Sequence, residues 1–233
     1  MNNPNYKQRS LSDWTNVFNN LYGSGNQFSS AGEMWGNVVS AGSRLAKDLR
    51  LERVNARKDE NSKLVGTLVN VPDIFAWMSA FSQRFGSLEE MTWYRFPGVC
   101  RYCLTEENCS CITDKMYMKE QIPDREVRLQ ELRRERKNYP ATLDAWQEMF
   151  DRIYGNANRI QTLQQIGLHL IEEIGEVQEE INRRDESKII RELPDVFAWI
   201  NGVLIKTSEV IGEDVKLSDI TWDRYKDGCP CNI

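Results

Sequence analysis

Histidine is almost missing from this chain: one residue in 233, His169. That scarcity excludes a di-iron bundle, which needs paired Glu-x-x-His motifs, and most histidine-based triads. Long apolar runs are missing too. No stretch approaches the ~20 residues of a membrane span, and the amino-terminal MNNPNYKQRS has no apolar core of the kind a secretion signal carries. The expectation is a cytoplasmic protein with no membrane partner. Basic residues do not exceed acidic ones, with 30 Lys and Arg against 35 Asp and Glu and a net charge of -5. Nucleic acid is therefore not expected as a partner, since neutralising phosphates needs clustered cations in excess. Stretches that alternate apolar and polar residues between turn signals are also lacking, so strands are not expected. What is present, 40% apolar and 28% charged residues, is the balance of a globular chain able to bury a core. Six cysteines in a chain of this size, with no secretion signal, fit thiols or metal ligands better than disulfides.

The chain is written twice. LSDWTNVFNNLYG, from Leu11, aligns without gaps on LDAWQEMFDRIYG, from Leu143, so that Trp14, Phe18, Tyr22 and Gly23 meet Trp146, Phe150, Tyr154 and Gly155. VPDIFAW (Val71 to Trp77) falls on LPDVFAW (Leu193 to Trp199), and MTWYRF (Met91 to Phe96) on ITWDRY (Ile220 to Tyr225). Length changes lie between these blocks, as expected if the blocks are helices and the gaps loops. So long a period indicates a duplicated domain rather than a short-repeat solenoid.

Both copies read as helical, with apolar residues at i, i+3, i+4 and i+7 and with Gly23 and Gly155 as stops. Ser87 and Glu90 have capping-box spacing for a short fourth helix, and Gly86 ends the helix before it. Pro72 and Pro194 would cost ~3 kcal/mol in a helix interior. They are therefore read near the start of the third helix, which begins around Val65 in one copy and Lys188 in the other. PDREVRLQELRRERKNYP is too charged for a core element and reads as an exposed linker helix.

On a helical wheel Glu172, Glu173, Glu176, Glu179 and Glu180 share a face about 120° wide, with Ile166, Leu170, Ile174, Val177 and Ile181 opposite. Like charges at this spacing work against the helix unless a cation offsets them. Mg²⁺ is the natural one: it is hard, takes oxygen ligands, and is typically held by carboxylates together with substrate phosphates. Glu192 and Asp195 form a second acidic pair one turn apart, and the intervening chain is long enough to fold the two helices side by side. A glutamate-rich face taken alone is commonly solvated surface. The other copy argues otherwise. There Glu172, Glu173, Glu176 and Glu192 correspond to Ser40, Ala41, Arg44 and Asn70, while Asp73 still matches Asp195 and packing residues such as Leu45 and Leu49 stay apolar. Acids that differ as a group point to one shared function.

EEIGE followed by ELPD resembles the EExxE and ExxD signature of the MazG-like nucleotide pyrophosphohydrolases, of the all-α NTP pyrophosphatase superfamily. The resemblance implies a four-helix core, and with the duplication the expectation is an all-α fold of two tandem four-helix repeats packed as a pseudo-dimer. A degenerate first repeat over 9–112 would carry a Cys-rich loop, a charged linker would run over 113–139, and the second repeat over 140–233 would hold the acidic metal site. It implies Mg²⁺, or Mn²⁺ in its place, and cleavage of nucleoside triphosphates to monophosphate and pyrophosphate. Glu173, Glu176, Glu192 and Asp195 would be metal ligands, and Glu172 a further ligand or the base orienting water. His169, in the acidic face, is a candidate substrate contact, with a structural histidine as the alternative. Lys206, Arg224 and Lys226 are candidates for the triphosphate tail, although the match of Arg224 with Arg95 favours a structural role for it. Trp77 and Trp199 read as core. The chain departs from a minimal family member at Cys100-x2-Cys103-x5-Cys109-x-Cys111, with Cys229 and Cys231 far away. Four thiolates so close suit a structural Zn²⁺ that braces a loop, with free thiols as the alternative. A monomer and a homodimer of such pseudo-dimeric chains both fit. The competing reading is a non-catalytic nucleotide-binding or regulatory module.

Overall fold

The computed structural model describes residues 5–55, 65–111 and 122–230. A 3-10 turn (Tyr6–Gln8) is followed by nine α-helices and no strand among the described residues: α1 (Leu11–Asn26), α2 (Ala31–Asn55), α3 (Val65–Ser82), α4 (Leu88–Arg95), α5 (Arg125–Glu135), α6 (Leu143–Arg159), α7 (Leu163–Arg183), α8 (Glu186–Ile211) and α9 (Leu217–Tyr225). The fold is all-α. Cys231 and residues 113–121 of the expected linker lie outside the described residues; the charged remainder forms α5, in which Leu129 is the buried residue.

Local chemistry fixes the helix starts. Ser10 and Asp13 form a reciprocal capping box at α1, and Thr162 and Gln165 form one at α7. Thr142, Asp185 and Ser87 cap α6, α8 and α4 by accepting a backbone N–H of the first turn. Gly212, at φ 73, ends α8 by donating to the Ser208 carbonyl.

Three sequence expectations change. Gly23 and Gly155 stop nothing: both lie inside their helices, and no turn conformation is imposed on them. A Cβ at Gly155 would meet only the ends of the Asp151 and Arg159 side chains, which are exposed and can move aside. The third helix of the second half starts at Glu186 rather than Lys188, capped by Asp185. Pro72, seven residues after Val65, and Pro194, eight after Glu186, sit beyond the first turn, in the helix interior, and the Leu68 and Ile190 carbonyls lose their usual helical donor.

The hairpins α2–α3 and α7–α8 pack α2 against α7 and α3 against α8, with α1 laid on α3 and α6 on α8. Each fourth helix crosses over: α4 packs against α8 of the other half, and α9 against α3. Aromatic rings fill the middle, with Phe75 meeting Phe197 across the halves at 5.9 Å, and Phe18, Trp146 and Phe150 around them. The α2/α7 contact is close because it is built around glycine. Leu49 packs onto Gly167, and Ile171 and Ile174 onto Gly42, while the Trp35 indole donates to the Ile174 carbonyl at 3.0 Å. A Cβ at Gly167 would overlap the Leu49 side chain. Gly167→Ala is therefore expected to destabilise the chain by about 1–3 kcal/mol in a denaturant titration.

Candidate functional site

α7 and α8 each bury an apolar stripe, Ile166, Leu170, Ile174 and Val177 on one and Leu193, Val196, Phe197 and Ile200 on the other. The packing turns Glu173 and Glu176 toward Glu192, and carboxylate oxygens of all three lie within 4.8 Å of one another. Three like charges this close, on partly desolvated side chains, disfavour ionisation. The Glu173 carboxyl is pushed up to about 7, chiefly by burial and then by Asp195 and Glu176, against a hydrogen bond from the Trp199 indole at 3.2 Å. Glu176 is raised as well, by burial and then by Glu192 and Asp195. An all-oxygen donor set with unbalanced negative charge suits a hard divalent cation.

Asp195 has other partners. Its carboxylate accepts two hydrogen bonds from Arg95 on α4, one at 3.1 Å from Nε and a shorter one from Nη2, and Arg101 Nη1 lies 3.5 Å away. Arg95 also approaches Glu192 at 3.9 Å. Glu172 stands apart from the three converging acids, exposed, with a carboxylate oxygen 2.9 Å from His169 Nδ1. Glu179 and Glu180 serve ion pairs with Arg183, and Glu180 a further one with Lys188.

The raised Glu173 pKa has a consequence for stability. A carboxyl that titrates near 7 in the folded chain and near 4.5 in the unfolded one binds its proton more tightly when folded, so stability falls as pH rises through that window and is level above it. The loss is on the order of 1–2 kcal/mol once solvent screening is allowed for. A cation at the carboxylates offsets it. Mg²⁺ is therefore expected to raise Tm distinctly more at pH 8 than at pH 5, as measured by differential scanning fluorimetry of metal-free protein.

Beside the acids is a cavity of about 230 Å³. α6 contributes Phe150, Tyr154 and Asn158; α7 and α8 contribute His169, Glu173, Asp195 and Trp199; Phe96 and the cysteine loop close the rest with Arg101 and Tyr102. His169 stacks on Trp199 at 4.6 Å. Trp199 is thus a half-buried wall of the cavity and not simply core, whereas Trp77 stacks on Tyr22. Asn158, on the cavity wall, is 6% exposed. Lys206, Arg224 and Lys226 do not line this cavity. Lys206 donates to the Arg159 carbonyl and to Glu209, Arg224 to Asp73, and Lys226 to Asp223.

The residues that the sequence alignment pairs with the acids meet around one side chain, that of Arg44. Arg44 donates to Asn70, Ser40 and Asp73 at 3.0, 3.1 and 3.3 Å, and Asp73 also receives Arg224 and the Tyr225 hydroxyl. In the alignment of the two halves Arg44 takes the place of Glu176. The two halves also exchange reciprocal ion pairs, Arg95 with Asp195 and Arg224 with Asp73.

The four loop thiols converge, with Sγ atoms of Cys100, Cys103, Cys109 and Cys111 all within 4.8 Å of one another and unbridged. The loop is more than the brace expected of it, because its residues are a wall of the cavity. Sequence reasoning missed Arg95, Arg101, Tyr102 and Asn158. The alignment of Arg95 with Arg224 and the position of Arg101 and Tyr102 between two cysteines were the available signals.

Neither the curated proteins nor the solved structures include a match to the chain. The helix pair bearing all five acids is matched, over residues 161–210, by the family of the MazG nucleotide pyrophosphohydrolase domain, and within this all-helical fold the family resemblance rests on that segment.

Proposed function

We propose that this chain is a Mg²⁺-dependent nucleoside triphosphate pyrophosphohydrolase, converting a nucleoside or deoxynucleoside triphosphate and water to the monophosphate and pyrophosphate. The observation that carries this reading is the convergence of Glu173, Glu176 and Glu192 within 4.8 Å, on helices of the matched segment and beside a cavity. These three carboxylates would hold Mg²⁺, or Mn²⁺ in its place. Asp195 would join them as a ligand, with Arg95 and Arg101 offsetting its charge. A bound ion supplies polarisation of phosphoryl oxygens and a more acidic water.

The remaining groups are assigned from their placement. Glu172 is the residue proposed to orient the attacking water, with His169 hydrogen-bonded to it at 2.9 Å. The stacked His169 and Trp199 offer a flat wall to a base, and the Asn158 amide offers a donor and an acceptor within the cavity. The clustered thiols suit one structural Zn²⁺. Residues 9–112 are proposed as a degenerate repeat that closes the site of the repeat at 140–233, with 113–139 as the linker. No helix among the described residues is long and apolar enough to cross a membrane, and a cytoplasmic location is proposed.

The test incubates the chain with each common nucleoside and deoxynucleoside triphosphate, with Mg²⁺ or with EDTA, and resolves products by chromatography. Mg²⁺-dependent formation of monophosphate supports the reading. Nucleotide binding without turnover would instead identify a regulatory module.

A further inference from the structure

Two neighbouring residues belong to both the thiol loop and the cavity. Arg101 and Tyr102 lie between Cys100 and Cys103 and also line the cavity beside Asp195. The loop has no regular secondary structure, and Leu104 and Asn108 take left-handed φ values of 59° and 53°, which L side chains adopt at a cost. It is docked on α6 through the Asn108 and Cys109 amides, which donate to the Arg152 and Ile153 carbonyls at 2.8 and 2.7 Å. The sulfur separations of 3.2 Å (Cys100 to Cys109) and 3.6 Å (Cys103 to Cys109) are close to the ~3.8 Å edge of a tetrahedron with Zn–S bonds of ~2.3 Å.

Arg101 is held at both ends. Its carbonyl accepts from Arg125 at 2.9 Å, and its Nη2 donates to the Tyr102 hydroxyl at 2.6 Å. Its Nη1 is buried and makes no hydrogen bond among the described residues, although Asp195 lies 3.5 Å away. A guanidinium donor that has an ion-pair partner but no hydrogen bond, at the wall of an acidic site, is placed to donate to an anionic oxygen. We propose that Arg101 and Tyr102 contact the nucleotide, with Arg101 Nη1 donating to a phosphate oxygen, and that a Zn²⁺ ion held by Cys100, Cys103, Cys109 and Cys111 positions both, so that zinc occupancy sets nucleotide affinity. This rests on the nucleotide reading above and adds a second metal with a different task.

Zinc content of the purified full chain is measured by elemental analysis. Affinity for the common nucleoside and deoxynucleoside triphosphates is then measured by equilibrium dialysis with Ca²⁺ replacing Mg²⁺. The expectation is one zinc per chain, and a loss of affinity of about tenfold or more both on zinc depletion and in zinc-loaded Arg101→Ala, as for a lost charged hydrogen bond. Depleting zinc from Arg101→Ala should add only the part of the loss that belongs to Tyr102, less than depletion costs the parent chain. Absence of zinc, unchanged affinity on depletion or in Arg101→Ala, or losses that simply add would overturn the proposal. Circular dichroism checks the depleted chain; if it has unfolded, zinc-loaded Arg101→Ala decides alone. Zinc-dependent binding with no turnover in Mg²⁺ sinks the hydrolase reading and leaves this one standing. Turnover and binding indifferent to zinc do the reverse, and a zinc-loaded chain that binds no nucleotide overturns both.

Discussion

Glu176→Gln is expected to lower nucleoside triphosphate turnover by about 10³-fold, the equivalent of the several kcal/mol a bound metal ion contributes to a phosphoryl transition state. The substitution keeps size and polarity and removes one of three carboxylates that share a 4.8 Å neighbourhood. Folding should not suffer. Glu176 is exposed, and its charge is opposed by Glu192 and Asp195, so the metal-free variant should be as stable as the parent chain or slightly more so. Mg²⁺ should stabilise the variant less than it stabilises the parent. The informative result is the combination: a severe loss of turnover with Tm retained in the absence of Mg²⁺. A variant that keeps full turnover would remove Glu176 from the site, and one that unfolds would mean the glutamate has a packing role its exposure does not suggest.

The second large effect concerns stability. Arg95→Met removes the guanidinium that reaches from α4 in the first half to Asp195 and Glu192 on α8 in the second. Asp195 is 6% exposed and would keep only Arg101, 3.5 Å away and not hydrogen-bonded to it, so the cost should approach the about 3–5 kcal/mol of stranding a buried carboxylate. The counterpart, Arg224→Met, strips Asp73 of one partner but leaves it Arg44 and the Tyr225 hydroxyl, so a smaller loss is expected there. Denaturant titration without Mg²⁺ compares the two. Near-equal costs would contradict this account of the crossing ion pairs. Adding Mg²⁺ should recover part of the loss in Arg95→Met, because the ion takes over some of the missing positive charge beside Asp195.

Much of the fold was legible because its determinants are local. Apolar spacing marked the helices, and Ser87 marked the start of α4. The acid pattern was legible for the same reason: one helical turn brings Glu173 and Glu176 together, and another sets Glu192 beside Asp195. Gly155 misled because a glycine inside a helix and a glycine ending one look alike in sequence; what separates them is backbone φ, positive at the helix-ending Gly212 and not at Gly23 or Gly155. The partners of Asp195 were illegible for a different reason. Arg95 and Arg101 come from the other half of the chain, carried by the crossing of α4 and by the cysteine loop, and no local spacing encodes that crossing.

Arg44 shows the same limit from the other side. As a sequence difference it only marked the first half as lacking acids. In the fold its guanidinium bonds Ser40, Asn70 and Asp73, a cation of the protein's own in the position whose counterpart in the second half is acidic. Asp73 is thus met by Arg44 and Arg224, whereas of the three converging carboxylates Glu192 alone has arginines beside it among the described residues, Arg191 and Arg95.

The most direct test of the central claim follows the phosphorus. The chain is incubated with Mg²⁺ and the triphosphate that turns over fastest, in parallel with Glu176→Gln, and products are identified by ³¹P nuclear magnetic resonance. The account predicts monophosphate and pyrophosphate in equal amounts from the intact chain and almost none from the variant. Diphosphate with inorganic phosphate, or equal turnover by the variant, would contradict it.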